Sequence, residues 1–150
     1  MPMPTTLTPY LVVDGAAQAI AFYTRAFGAR ETLRLAEPSG RIGHAQLTIG
    51  EALVMIADEH PEMNIRGPKA LGGSPVTLHL RVADVDAVAA QAVAAGAKVV
   101  FPVKDQFYGE RSGRLEDPFG HLWILSTHVE DVSPAEMQRR YDEMMRQQGG

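Results

Sequence analysis

The chain has 150 residues, 45% of them hydrophobic, which is the size of one ordinary domain and enough apolar material for a core without staples. It has no cysteine, so disulfides, zinc-thiolate sites and a cysteine nucleophile are excluded, and a reducing cytoplasm is the expected location. Fourteen Lys plus Arg against eighteen Asp plus Glu give a net charge of −4 with scattered basic residues, a poor match for nucleic acid.

The N-terminal stretch MPMPTTLTPY lacks basic and apolar signal regions, and no apolar run nears the roughly 20 residues of a membrane helix, so neither secretion nor a membrane partner is expected. From Leu7 to Val13 the residues Leu7, Pro9, Leu11 and Val13 alternate with Thr8, Tyr10 and Val12, the period of a strand with distinct faces. Asp14 is placed as a helix N-cap. Ala16, Ala19, Ile20, Tyr23 and Phe27 follow at helical spacing, and Gly28 stops the helix. Three strand candidates come next: ETLRLAE, GHAQLTIG and ALVMIAD. In GHAQLTIG, Ala45, Leu47 and Ile49 share one face, while His44, Gln46 and Thr48 share the other.

The stretch EHPEMNIRGPKALGGSP, 59–75, is rich in Pro and Gly and has no periodicity, so it reads as a linker; at that length a binding loop or a disordered segment are both open. The plan then repeats. Leu78, Leu80 and Val82 alternate with Thr77, His79 and Arg81; Asp84 caps; Val85, Val88, Ala89 and Ala92 form a stripe; Gly96 ends it. KVVFPVK, the RSGRLED segment and HLWILST supply three more strands. An offset of 69 residues, Thr8 to Thr77, also carries Met55 onto Ile124, so the copies match at both ends. Modules at about 7–58 and 76–128 are thus each strand, helix, strand, strand, strand. Ser133-Pro134-Ala135-Glu136 then opens a C-terminal helix at about 133–147, with Met137, Tyr141, Met144 and Met145 on one stripe that suits docking on the same chain or a twin subunit.

Two such modules, with GHAQLTIG in the first and DPFGHLWILSTH in the second, resemble the vicinal-oxygen-chelate superfamily, the glyoxalase, bleomycin-resistance and extradiol-dioxygenase group, over residues 7 to 131. The run DQFYGERSGRLEDPFGHLWILSTHVEDVSPAEM, with GHAQ and LHLRV, looks closest to its PhnB-like branch. The resemblance implies an α+β fold of two tandem βαβββ modules whose curled mixed sheets surround a cup-shaped cavity. It also implies that a divalent metal, where present, is held by the first and last strand of each module. Those positions fall here on Thr8, Met55, Thr77 and Ile124, which are not the His or carboxylate ligands such an ion needs. The expectation is therefore no metal and no cofactor.

On the last strand His121 and His128 lie seven apart and point opposite ways, so they cannot share an ion. Trp123 is expected under a helix, His121 at the hairpin mouth and His128 near Glu130. Facing the cup by alternation are Tyr10, Thr77, His79, Arg81 and, if its polar face lines the cavity, the His44 and Gln46 strand. His79 and His44 are candidates for proton transfer or for a displaced two-ligand metal site; each can equally satisfy a buried polar group. The loop KDQFYGERSG, 104–113, puts Phe107, Tyr108 and Arg111 at the rim, to cover a flat ligand and pair with an anionic oxygen. Alternatively its aromatics plug a sheet edge and Arg111 pairs with Glu110 or Glu116.

No nucleotide cradle or hydrolase nucleophile elbow is present. Two functions remain: a homodimeric binder of a small, aromatic or partly polar molecule, or a lyase or isomerase using His79 and His44.

Overall fold

The computed structural model describes residues 2–149. Its first half runs β1 (Tyr10–Val13), α1 (Ala16–Phe27), β2 (Arg30–Ala36), β3 (Ile42–Ile49) and β4 (Ala52–Asp58). A 3-10 turn at Pro61–Met63 and the single-turn α2 (Pro68–Leu71) connect to the second half, β5 (Thr77–Arg81), α3 (Val85–Ala95), β6 (Lys98–Asp105), β7 (Glu110–Glu116) and β8 (Leu122–His128), which α4 (Pro134–Gly149) follows. The chain forms two four-stranded mixed sheets, in the orders β1-β4-β3-β2 and β5-β8-β7-β6, and neither sheet closes on itself. The fold is α+β, as the resemblance implied, and each half keeps the element order of the repeat.

The repeat is exact in register where it matters: Tyr10 pairs with Met55 across the parallel β1–β4 ladder, and His79 pairs with Ile124 across β5–β8. One face of each sheet is apolar and lies on the helix layer, where Leu11, Leu47 and Ile56 of the first half and Leu115, Trp123 and Leu125 of the second join one buried cluster. The helices α1 and α3 pack against each other. Their stripes are the ones read from spacing: Ala16, Ala19, Ile20 and Tyr23 are buried on α1, and Val85, Ala89 and Ala92 on α3. Burying such side chains stabilises by about 1.5–3 kcal/mol for each large one. Trp123 lies under α1, its ring 4.6 Å from Phe27 and 5.6 Å from Tyr23.

Several local expectations are corrected. The first strand begins at Tyr10 rather than Leu7; Leu7 is 98% exposed, and Pro9 has no N–H to extend the ladder, although its carbonyl still accepts from Met55 N at 2.9 Å. Asp14 does not cap α1. The cap residue is Gly15, in a left-handed conformation, and the carboxylate that serves the helix start comes from the end of β4: Asp58 Oδ1 accepts from Gly15 N at 3.0 Å and Ala16 N at 2.8 Å. Its other oxygen accepts from Ile42 N at 2.7 Å. Sixty-nine residues on, Thr127 holds the same place, its hydroxyl accepting from Val85 N at 2.8 Å and donating to Val82 O at 2.9 Å. Asp84 caps α3 as expected, accepting from Ala87 N at 3.2 Å.

The 59–75 connection is ordered structure rather than a bare linker. Besides its two short helical turns it carries a His60–Ile65 bridge, and Gly67 lies so close to the first strand that a Cβ there would meet Val12 O at 2.7 Å. The C-terminal helix extends to Gly149, with Ser133 Oγ accepting from Glu136 N at 3.1 Å. Its stripe is only partly covered. Tyr141 packs on Phe107, while Tyr141 and Met145 stay substantially exposed.

Candidate functional site

The second face of each sheet, turned away from the helices, carries the polar side chains. On the first sheet Met55 pairs with Tyr10 on one side and Gln46 on the other. His44 joins these two: its Nδ1 is 2.8 Å from Tyr10 Oη and its Nε2 is 3.2 Å from Gln46 Nε2. On the second sheet Ile124 stands in the place of Met55, with His79 on one side and Arg114 on the other. The hydrogen bonds of His44 and His79 therefore stay on separate sheets; His79 Nε2 is 2.7 Å from the hydroxyl of the buried Ser126.

Two adjoining hollows occupy the second sheet. The first, about 330 Å³, is lined by Phe101, Lys104, Gln106, Tyr108, Ser112, Arg114 and Ile124 among others. Tyr108 Oη is 3.0 Å from Ser112 Oγ, which fixes the ring over the sheet. The second hollow, about 410 Å³, runs from His79 and Arg81 past Tyr108, Glu110 and His128 to Val132 and Met137, so the segment leading into α4 forms its far wall.

Glu110, 6% exposed, is the centre of this wall: it accepts from Arg81 Nη2 at 2.6 Å and lies 3.0 Å from His128 Nδ1. Burial raises its pKa, but the hydrogen bonds and charges of Arg81 and His128 outweigh burial and hold the carboxyl below its usual range. His128 is shifted up, first by its hydrogen bond to Asp131 at 2.8 Å and then by Glu110. His128 was expected near Glu130; its partners are Glu110 and Asp131 instead. The turn behind this region depends on Gly109, whose φ is +89° and whose Cβ position lies 2.3 Å from Glu130 O, so only glycine fits.

The loop residues divide. Tyr108 faces both hollows, whereas Phe107 packs between Tyr108 and Tyr141 under α4. Arg111 lies on the helix side of β7, where Asp86 takes its Nε and Nη2 at 2.8 and 3.0 Å and Asp105 takes Nη1 at 3.1 Å. It pairs with neither Glu110 nor Glu116. The arginine on the hollow side is Arg114, which sequence reading passed over. The signal was available: counting back from the Asp117 turn, the apolar Leu115 faces the core and so Arg114 faces the opposite way.

His121 does sit at the hairpin mouth, its Nε2 3.1 Å from Val12 O in the other half of the chain. Four backbone and side-chain donors converge just before it on Asp117, which is 3% exposed: Phe119 N, His121 N, Tyr23 Oη and Trp123 Nε1.

The comparisons with known proteins agree with this architecture. The model of the Glyoxalase/Bleomycin resistance protein/Dioxygenase superfamily matches residues 5–125. The chain belongs to this superfamily. It is 47% identical over 135 residues to uncharacterized proteins of Mycobacterium bovis and Mycobacterium tuberculosis, covering 88% of this chain and 89% and 79% of theirs. The crystal structure of TioX from Micromonospora sp. ML1 is similar at 28% identity and a TM-score of 0.65, over 84% of this chain and 100% of that one.

The metal that the superfamily implies was tested against the donors at its usual positions. Met55, Thr77 and Ile124 lie half-buried on the sheets, and Thr8 precedes β1 outside any strand. Two hydroxyls, a thioether and an alkyl chain do not fit a catalytic divalent ion. Among the described residues no group of three or more His, Asp or Glu is arranged to hold an ion elsewhere. No helix among them is long and apolar enough to cross a membrane.

Proposed function

We propose that this protein binds a small, partly aromatic molecule on the open face of its second sheet, without the metal that its enzymatic relatives use and without converting the molecule. The observation that carries this reading is the hollow of about 330 Å³, where Phe101, Tyr108 and Ile124 supply apolar surface and Gln106, Lys104 and Arg114 supply polar groups. That mixture of apolar lining and a few oriented polar groups is what small-molecule sites have in common. The test is a screen of small aromatic ligands by chemical-shift changes in the labelled protein: shifts clustered on β6, β7 and β8 support the reading, and their absence across the screen overturns it.

A second reading, a lyase or isomerase acting through His79 and His44, draws support from His79, which lines the hollow beside the buried Glu110 and bonds Ser126. Because each histidine bonds within its own sheet, this reading needs the two sheets brought face to face by a second copy, or a displaced divalent ion. Titration with zinc, nickel, manganese and iron(II) of wild type, His44→Ala and His79→Ala separates the two. One tightly held ion per chain, lost in either variant, favours the enzyme; no specific uptake favours the binder.

The protein works as a homodimer in the cytoplasm in this proposal. Support for the dimer comes from apolar groups left in water on the outer strands and last helix, among them Leu35, Val99 and Met145. Sedimentation equilibrium at micromolar concentration checks it, and a monomeric mass overturns it. Within the superfamily we place the chain in the PhnB-like branch on the run DQFYGERSGRLEDPFGHLWILSTHVEDVSPAEM together with GHAQ and LHLRV.

A further inference from the structure

We infer that the hollow between β6, β7 and β8 is an anion site, and that the molecule it takes is an aromatic carboxylate whose acid group lies between Arg114 and Lys104. This deepens the binding reading above and rests on it.

The chain as a whole is acidic, yet none of the residues lining this hollow is an aspartate or glutamate. The other arginines on the strands of the second sheet are taken, Arg81 by Glu110 and Arg111 by Asp86 and Asp105. Among the described residues Arg114 and Lys104 form no ion pair, and the strand geometry explains why. Asp105, next to Lys104, points to the helix side of β6 and is held there by Arg111. Glu116 shares a face with Arg114 but lines a different hollow, beside Pro68 and Lys69.

The rest of the lining completes a ligand of one kind. Phe101 pairs with Arg114 in the ladder and Ile124 pairs with it from the other side, so the guanidinium rises between two apolar side chains. Phe101 is 60% exposed, a large cost in water that a flat ring laid against it would remove. Lys104 pairs with Ser112, whose hydroxyl is held by Tyr108. Gln106 donates to Ser112 O at 3.2 Å, which holds its amide at the wall of the hollow. A guanidinium binds a carboxylate through two parallel N–H bonds, and a nearby ammonium adds a second positive charge. A volume near 330 Å³ suits an acid with one or two fused rings.

The experiment compares 2-naphthoate with the neutral 2-naphthamide, titrated into wild type, Arg114→Gln, Lys104→Gln and the charge-matched control Arg139→Gln on α4, by chemical shift and calorimetry. The expected result is naphthoate bound at least about ten-fold tighter than naphthamide, the size of effect that charge-assisted hydrogen bonds give. That preference falls in Arg114→Gln, falls less in Lys104→Gln, persists in Arg139→Gln and weakens with added salt. Should Arg114→Gln fail to fold, the exposed Lys104→Gln and the salt series decide. Equal affinity for the two probes overturns the anion site and leaves the binding reading standing. Binding of neither probe at millimolar concentration overturns the aromatic-carboxylate site, and the ligand screen then decides the binding reading.

Discussion

Tyr23 and Asp117, 94 residues apart in the chain, are joined by a hydrogen bond from the phenol to the carboxylate in the centre of the core, at 2.5 Å. The same carboxylate oxygen accepts from Trp123 Nε1 at 2.9 Å, so one buried acid ties α1 of the first half to β8 of the second. Burial, and then the charge of Asp117, raise the Tyr23 pKa well above its ordinary value, so the phenol stays protonated as the donor.

Tyr23→Phe should therefore cost about 1–2 kcal/mol, because Asp117 keeps its other partners, whereas Asp117→Ala should cost about 3–5 kcal/mol by stranding buried donors. Urea unfolding of both variants checks the order. Equal losses would show that the carboxylate is not the common anchor.

Asp58 and Thr127 hold the starts of α1 and α3 from equivalent places in the two modules. Asp58→Ala loses three backbone donors' partner and should destabilise by about 2–3 kcal/mol; Thr127→Val should cost about 1–2 kcal/mol, since Asp84 still caps α3. Thermal or urea unfolding measures both, and a neutral Asp58→Ala would mean that Gly15 alone sets the helix start.

His128 gives the fold a pH dependence of known sign. Its folded pKa is raised by Asp131 and Glu110, so its contribution is complete below the unfolded value of about 6.5 and disappears as pH rises through the folded value. Glu110, shifted down, contributes above the unfolded value of about 4.3, and that part is lost as pH falls through the folded one. Wild type should exceed His128→Asn in stability most at about pH 5.5 and least at about pH 8.5. Urea midpoints at the two pH values test this; a gap independent of pH would contradict it.

His79 is exposed on the face of its sheet, with one hydrogen bond to Ser126. On the lyase or isomerase reading, His79→Ala should lower turnover several-fold while costing about 1 kcal/mol of stability for the lost Ser126 partner. A collapse of the melting curve with unchanged turnover would identify a structural histidine.

Much of the fold was legible because strand and helix periods are local. The offset that carries Met55 onto Ile124 is visible in the letters, and the ladders keep it: Tyr10 faces Met55 as His79 faces Ile124. The stripe on α1 and the buried Trp123 follow from spacing in the same way. The site was less legible. In the segment RSGRLED only Leu115 marks the core face, a single apolar residue that puts Arg114 on the opposite side, and the acids that take Arg111 are near it in space rather than next to it in the chain.

The sequence by itself determined two βαβββ modules, the stop of α1 at Gly28, the cap at Asp84 and the absence of metal donors at the superfamily's usual positions, since each depends on residue type or near-neighbour spacing. Only the tertiary structure decided that Asp58 rather than Asp14 serves α1, that Asp86 takes Arg111, that His44 and His79 bond on separate sheets and that, among the described residues, Arg114 forms no ion pair. Those outcomes depend on which carboxylate the packed helices and strands bring within reach, and a hydrogen bond or ion pair forms with what is near in space, not with what is near in the chain.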